Sequence, residues 1–146
     1  MVKLFEKYEY PEGLYYSKDH MWAKIEDDKV RVGLTDFGQR IAGKIRFIRP
    51  RPPGRRVEQG KTLGSMETGK WVGPLISPLS GTIVEVNRDL RGKASLLHED
   101  PFGRGWISVL QPTDLDEELK VLMREADEMK PWLKQEIAKY EKELKE

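Results

Sequence analysis

Cysteine is absent from the 146-residue chain, so no disulfide, thiolate ligand or cysteine nucleophile enters its chemistry. A chain without cysteine suits a reducing compartment. Histidine is scarce: His20 and His98 are the only two, and neither has a nucleophile in motif spacing. A zinc centre therefore lacks donors, and a hydrolase or transferase site lacks its usual base. Glu99-Asp100 pairs two carboxylates, but Pro101 and Gly103 mark a turn there, where capping is the expected use. No catalytic residue and no metal ligand is assigned. Excess charge of one sign is also missing. The 26 basic residues face 25 acidic ones, a net of +1, and that balance makes no case for nucleic acid or membrane. No apolar run spans a bilayer. Met1 to Gly13 carries Lys3, Glu6, Lys7, Glu9 and Glu12 where a signal peptide would be apolar. The expectation is a soluble, cytoplasmic protein.

What is present divides into two textures. From Leu14 to about Leu110, short apolar segments alternate with Gly, Pro and Asn. Val30–Leu34, Ile45–Arg49, Lys61–Met66, Val72–Ile76, Thr82–Val86 and Trp106–Leu110 each read as a strand. Short strands at this spacing predict an all-β barrel or sandwich. Thr35 to Gly43 is the exception, a short helix capped by Thr35 and closed by Gly43. From Asp114 the period changes. Leu115, Leu119, Leu122, Ala126, Met129, Leu133, Ile137, Tyr140 and Leu144 recur every three or four residues, which is one face of a helix. Pro131 removes a backbone donor and predicts a kink, or two helices meeting, near Met129–Lys130. The division is therefore a β domain over residues 1–113, opened by a polar, aromatic-bearing lead-in (1–13), and a helical extension over 114–146. The apolar stripe either packs on the β unit or, past Pro131, meets a partner or a second copy of the chain.

One run carries the chemistry. Gly64-Ser65-Met66-Glu67-Thr68-Gly69-Lys70-Trp71 begins like the phosphate-binding G-x-x-x-x-G-K. That motif needs Ser or Thr next, for magnesium, and then a helix whose first amides hold phosphate. Here Trp71 follows, then Val72-Gly73-Pro74-Leu75-Ile76-Ser77-Pro78, where two prolines and a glycine oppose a helix. The run reads better as a β-hairpin with Gly69-Lys70 as its two-residue loop, Gly69 supplying a positive φ. Lys70 then stands at the apex, with Glu67 three residues away. The residues alone allow a solvated surface lysine as readily as a carrier site.

The wider pattern resembles the H proteins of the glycine cleavage system, which are lipoyl carriers. The resemblance runs from about Tyr15 to Thr113. His20-Met21-Trp22 is similar to the family's H-x-W, and Val32-Gly33-Leu34-Thr35-Asp36-Phe37-Gly38-Gln39 to its V-G-I-T-D-[YF]-[AG]-Q. Glu67-Thr68-Gly69-Lys70 stands where its E-S-V-K lipoylation site stands. Ser77-Pro78-Leu79-Ser80-Gly81, Val84-Glu85-Val86-Asn87 and Glu99-Asp100-Pro101-Phe102-Gly103-Arg104-Gly105-Trp106 resemble further motifs in the same order. The resemblance implies a mainly β fold with C-terminal helix: a flattened antiparallel barrel-sandwich hybrid of the lipoyl-domain type. It implies lipoate in amide linkage to Lys70. Glu67, Gly69 and Gly81 would be the positions an attaching enzyme reads. It also implies a non-enzymatic shuttle that carries the aminomethyl intermediate of glycine on its arm. The implied partners are glycine decarboxylase, aminomethyltransferase, dihydrolipoamide dehydrogenase and a lipoyl-attaching enzyme. A tethered arm gains effective concentration at each site it visits.

The chain departs from the family pattern in three ways. Gly69 replaces the usual Val, and Trp71 a small residue; the indole either forms a shelf for the arm or packs on the barrel. Arg31 to Arg56 holds eight basic residues against one acid, where relatives are acidic, and the helical tail balances it with eleven acids against seven bases. Charge complementarity selects partners, so the Lys44–Arg56 segment suggests an altered partner surface. A nucleic-acid patch is the weaker reading of that segment. The helix also runs past a typical family end. Two other functions stay open at this level: an H-like lipoyl protein serving sulfur oxidation with a heterodisulfide-reductase-like complex, and an unmodified scaffold of the same fold.

Overall fold

The computed structural model describes residues 2–145. In chain order the strands are β1 (Val2–Leu4), β2 (Tyr8–Tyr10), β3 (Tyr15–Tyr16), β4 (Met21–Glu26) and β5 (Lys29–Leu34). Helix α1 (Asp36–Ala42) follows, then β6 (Ile45–Pro50), β7 (Arg56–Val57), β8 (Thr62–Thr68), β9 (Val72–Ile76) and β10 (Gly81–Val86). A 3-10 turn (Arg88–Arg91), α2 (Leu96–Glu99) and β11 (Ser108–Pro112) lead to α3 (Leu115–Leu119), α4 (Ala126–Lys139) and α5 (Glu141–Leu144).

Two antiparallel sheets make the body. One has the order β3-β4-β5-β11-β10-β7, the other β6-β8-β9, and β1-β2 is a separate ribbon. Period-two burial explains the arrangement. In β5 Val30 and Val32 point inward, and in β10 Ile83 does. Ile45 and Ile48 of β6, Leu63 and Met66 of β8 and Leu75 of β9 join them in one aliphatic core shared by both sheets. The mainly β fold with C-terminal helices matches the sequence expectation.

Helix α1 forms where its caps place it. The Thr35 hydroxyl accepts from the Gly38 amide at 3.0 Å, and Gly43 closes the helix at φ 78°. Gly38 is needed for close approach. A Cβ there would lie 2.9 Å from Leu34 Cδ1 and 3.0 Å from the His20 carbonyl. Asp36 accepts from the Glu9 amide at 2.9 Å and pairs with Arg40 at 3.1 Å, which fastens the lead-in to α1.

A second, aromatic cluster lies apart from the aliphatic core. Leu4, Tyr8, Tyr10, Tyr16, Trp22, Phe37, Met129 and Leu133 are buried together, with Ile137, Tyr140 and Leu144 packed against them. The lead-in and the helical tail therefore share one packing unit, and the stripe of the tail is used internally. Two features of the described residues differ from the sequence expectation. The lead-in is a ribbon, turned at Phe5 and Glu6 in left-handed conformations (φ 54° and 58°). The tail is three helices, because Leu122 and Met123 turn inward and Met123 exchanges backbone hydrogen bonds of 2.8 Å with Tyr16. Pro131 lies inside α4, and the breaks fall at Lys120–Glu125 and at Tyr140.

Candidate functional site

β8 and β9 form the expected hairpin, paired from Thr62↔Ile76 to Glu67↔Val72. Beyond the last pair, the Thr68 amide donates to the Trp71 carbonyl at 2.9 Å, leaving Gly69 and Lys70 at the tip. Both are exposed. The turn closes in an unexpected manner. Gly69 is not among the positive-φ residues, so the expectation that its backbone freedom makes the loop is corrected. The closing element is Thr68. Its buried hydroxyl accepts from the amides of Lys70 and Trp71, each at 3.2 Å. A side-chain oxygen in the place of a backbone acceptor permits ordinary φ angles through the turn. The Thr before Gly-Lys was the available sequence signal.

Gly69 has a different role. A Cβ on it would meet the Arg46 guanidinium at 3.1 Å, so Arg46 of β6 lies against the tip. No local pattern marks Arg46, because strand pairing across the sheet brings it there. Glu67 sits mid-row between Phe47 and Val72 on the neighbouring strands. Gly81 belongs to the other sheet, where it opens β10 and is not in a turn. A Cβ there would lie 2.4 Å from the Gln111 carbonyl, so strand packing alone requires glycine.

Trp71 lies over its own strand. A Cβ on Gly73 would be 2.3 Å from Cζ3 of the indole, so Gly73 is the notch that admits the ring. The ring stays 40% exposed and borders two grooves. One, of about 770 Å3, is lined by Ile41, Ala42, Arg46, Lys70, Trp71 and Glu143. The other, of about 360 Å3, includes His20, Met66, Trp71, Ile76 and Tyr140. Tail residues thus wall both grooves, which the helical period of the sequence gave no means of foreseeing.

Both histidines serve packing. His20, itself at φ 68°, is buried between Phe37 and Trp132, with ring centroids 4.9 and 5.1 Å away. Its Nε2 is 2.7 Å from Glu136 Oε1, and among the described residues its Nδ1 has no hydrogen-bond partner. Burial lowers its pKa, and the Glu136 contact opposes that only in part. The neutral ring donates from Nε2 to Glu136 and so joins β4 to α4. His98 Nε2 accepts from the Ile45 amide at 3.0 Å, which assigns the proton to Nδ1, 2.5 Å from Gln39 Oε1. Its pKa is also lowered, by desolvation. Among the described residues, no group of three His, Cys, Asp or Glu side chains could hold a metal ion. No helix among them is long and apolar enough to cross a membrane.

Comparison with known proteins agrees with this geometry. The model of the glycine cleavage H-protein family matches residues 14–136. The chain is 46% identical over 115 residues to glycine cleavage system H protein 2 of Aquifex aeolicus, covering 77% of this chain and 71% of that one. It is 40% identical over 135 residues to the probable glycine cleavage system H protein of Pyrococcus horikoshii, covering 92% and 98%. A crystal structure of a glycine cleavage system H protein from Mycobacterium marinum superposes with a TM-score of 0.68 at 32% identity. It covers 76% of this chain and 97% of that one.

Proposed function

The chain belongs to the glycine cleavage H-protein family, and from that premise we propose that Lys70 is the residue on which it carries its lipoyl arm. Its function is that of a lipoyl-carrying shuttle in glycine cleavage, and the relatives favour neither the sulfur-oxidation role nor an unmodified scaffold. The observation that carries the assignment is the exposed Lys70 at the tip of the β8–β9 hairpin.

The residues around Lys70 suit such a group. An amide at Nζ removes the lysine charge and lengthens the side chain with an apolar stem. The groove beside it offers Ile41, Ala42 and the partly exposed Trp71 face as apolar contacts. When bound, lipoate supplies a redox-active dithiolane at the end of that stem. Every other task falls to the chain itself. Thr68 holds the backbone on both sides of Lys70 in one conformation, so an attaching enzyme meets a preformed turn and little order is lost on docking. Glu67 stands on the outer face of the same hairpin as a candidate recognition carboxylate, and Gly69 keeps space for Arg46 at the tip. Trp71 is the proposed resting surface for the stem. Gly81 acts on attachment only through the strand packing it permits. Glycine decarboxylase, aminomethyltransferase and dihydrolipoamide dehydrogenase are the proposed stations of the arm, and a lipoyl-attaching enzyme its source.

Intact-mass measurement after co-expression with a lipoyl ligase tests the assignment. One lipoyl adduct located on the Lys70 peptide is expected. An adduct that persists in Lys70→Ala would remove Lys70 from the role.

A further inference from the structure

The outer face of the three-stranded sheet carries side chains that packing within the chain does not use. Directly paired residues share a face, so Phe47, Glu67 and Val72 form one row and Arg49, Ser65 and Pro74 the next. Phe47 is 51% exposed and Val72 64%. The Arg46 guanidinium lies against Gly69 at the tip, and Arg49 lies 5.8 Å from the Phe47 ring centroid. Lys44, Arg46 and Arg49 are all exposed, and among the described residues none is within 4.0 Å of a carboxylate. Two other arginines do have carboxylate partners: Arg31 pairs with Glu26, and Arg40 with Asp36.

Charges on an edge strand such as β6 deter strand-to-strand association. That use does not call for two exposed apolar side chains on the same face. An apolar centre with a charged rim is the anatomy of a protein interface. Nucleic acid fits less well, because one aromatic gives no platform for successive bases.

We propose that this face, with Arg46, Phe47, Arg49 and Val72 as its contacts, docks on an acidic protein surface. Resting on the carrier reading above, the inference takes that partner to be the glycine-decarboxylating enzyme of the same organism. The partner presents an apolar depression for Phe47 and Val72, edged by carboxylates that meet Lys44, Arg46 and Arg49. Because β8 is common to the face and the tip, docking there delivers Lys70 to the enzyme. Attachment of the arm leaves these three cations as the charge that steers encounter.

Titration calorimetry of the lipoylated full chain against that purified enzyme, at low and high salt, tests this. The double variant Arg46→Glu/Arg49→Glu is expected to bind about tenfold or more weakly and to lose most of its salt dependence. Phe47→Ala is expected to weaken binding at both salt concentrations alike. Lys24→Glu/Lys29→Glu makes the same charge change on the β4–β5 hairpin and is expected to bind as the unaltered chain does. Equal effects of the two double variants would overturn the proposal. So would absence of binding by the unaltered chain, or a preference of that chain for RNA or anionic vesicles. An unaltered chain that binds without being loaded from glycine contradicts the carrier reading alone, and loss of binding in Arg46→Glu/Arg49→Glu still upholds the surface.

Discussion

The hairpin that presents Lys70 and the aromatic cluster that fastens α4 are held by different forces. The hairpin leaves Val72 largely and Trp71 partly in water, and its tip is closed by backbone amides and one hydroxyl. The cluster buries Tyr10, Tyr16, Trp22, Phe37 and Leu133 almost completely and joins the two ends of the chain. Burial of that kind dominates stability. The comparison teaches that this chain separates the part that keeps it folded from the part that meets other molecules. A change at one end of the separation should therefore leave the other measurement alone.

The largest effect should come from the least destabilising change. Lys70→Arg keeps a long cationic side chain but offers no primary amine for an amide bond. Complete loss of the lipoyl adduct by mass spectrometry is expected, with an unaltered thermal midpoint. Phe37→Ala should do the reverse. The ring is fully buried and meets Tyr8 edge-on at 5.0 Å and His20 at 4.9 Å. Its loss should cost about 3–5 kcal/mol by denaturant unfolding, while the folded fraction still accepts lipoate at Lys70. Loss of attachment by folded Phe37→Ala would break the comparison, since it would tie the tip to the cluster.

These contrasts also show why the sequence was readable in some places and opaque in others. Strands in the body have one wet and one dry face, so Val30-Arg31-Val32 and Thr82-Ile83-Val84 announce themselves by alternation. Thr35 and Gly43 bound α1 with local chemistry, and both ends were legible. The lead-in was not. Its turn uses Phe5 and Glu6 in left-handed conformations, which carry none of the Gly or Asn signals of such turns. The tail showed its period but hid its breaks, because the Met123–Tyr16 bridge is a tertiary event. At the site, Lys70 and its hairpin followed from local pattern. Arg46 and Glu143 depend on what the fold brings alongside, whereas Thr68 acts within the turn itself and left a local signal.

Acid should act on His20 in the cluster and on His98, which holds the Ile45 amide, more than on the hairpin tip. Burial lowers the pKa of His20 and of His98 below 6.5, so the unfolded chain takes up protons before the folded one. The neutral rings therefore contribute full stability above about pH 6.5, and that contribution is lost as pH falls below it. The groups that bear on His20 are Glu136, Asp19 and Lys139, and on His98 it is Glu99. Unfolding midpoints measured from pH 7.5 to 5.5 should decline. The decline should flatten in His20→Asn/His98→Gln, since Asn accepts the left-handed backbone at position 20. An unchanged slope in that variant would assign the acid sensitivity to carboxylates instead.

The smallest expected effect on stability is the most informative about the tip. Thr68→Val keeps the shape of a buried β-branched side chain and removes the oxygen that accepts from the Lys70 and Trp71 amides. Lys70 and Trp71 are exposed residues, so water can replace that oxygen in part, and the loss should be about 1 kcal/mol or less. The turn itself should respond more strongly than the global midpoint. Hydrogen exchange at the amides of residues 70 and 71 should accelerate in Thr68→Val and stay slow in Thr68→Ser, which retains the acceptor. Attachment of lipoate should slow in the same order, because the attaching enzyme would then have to order a loop that the hydroxyl now orders in advance. If Thr68→Val accepts lipoate as fast as Thr68→Ser, preorganisation is not what the hairpin contributes, and exposure of the lysine alone suffices.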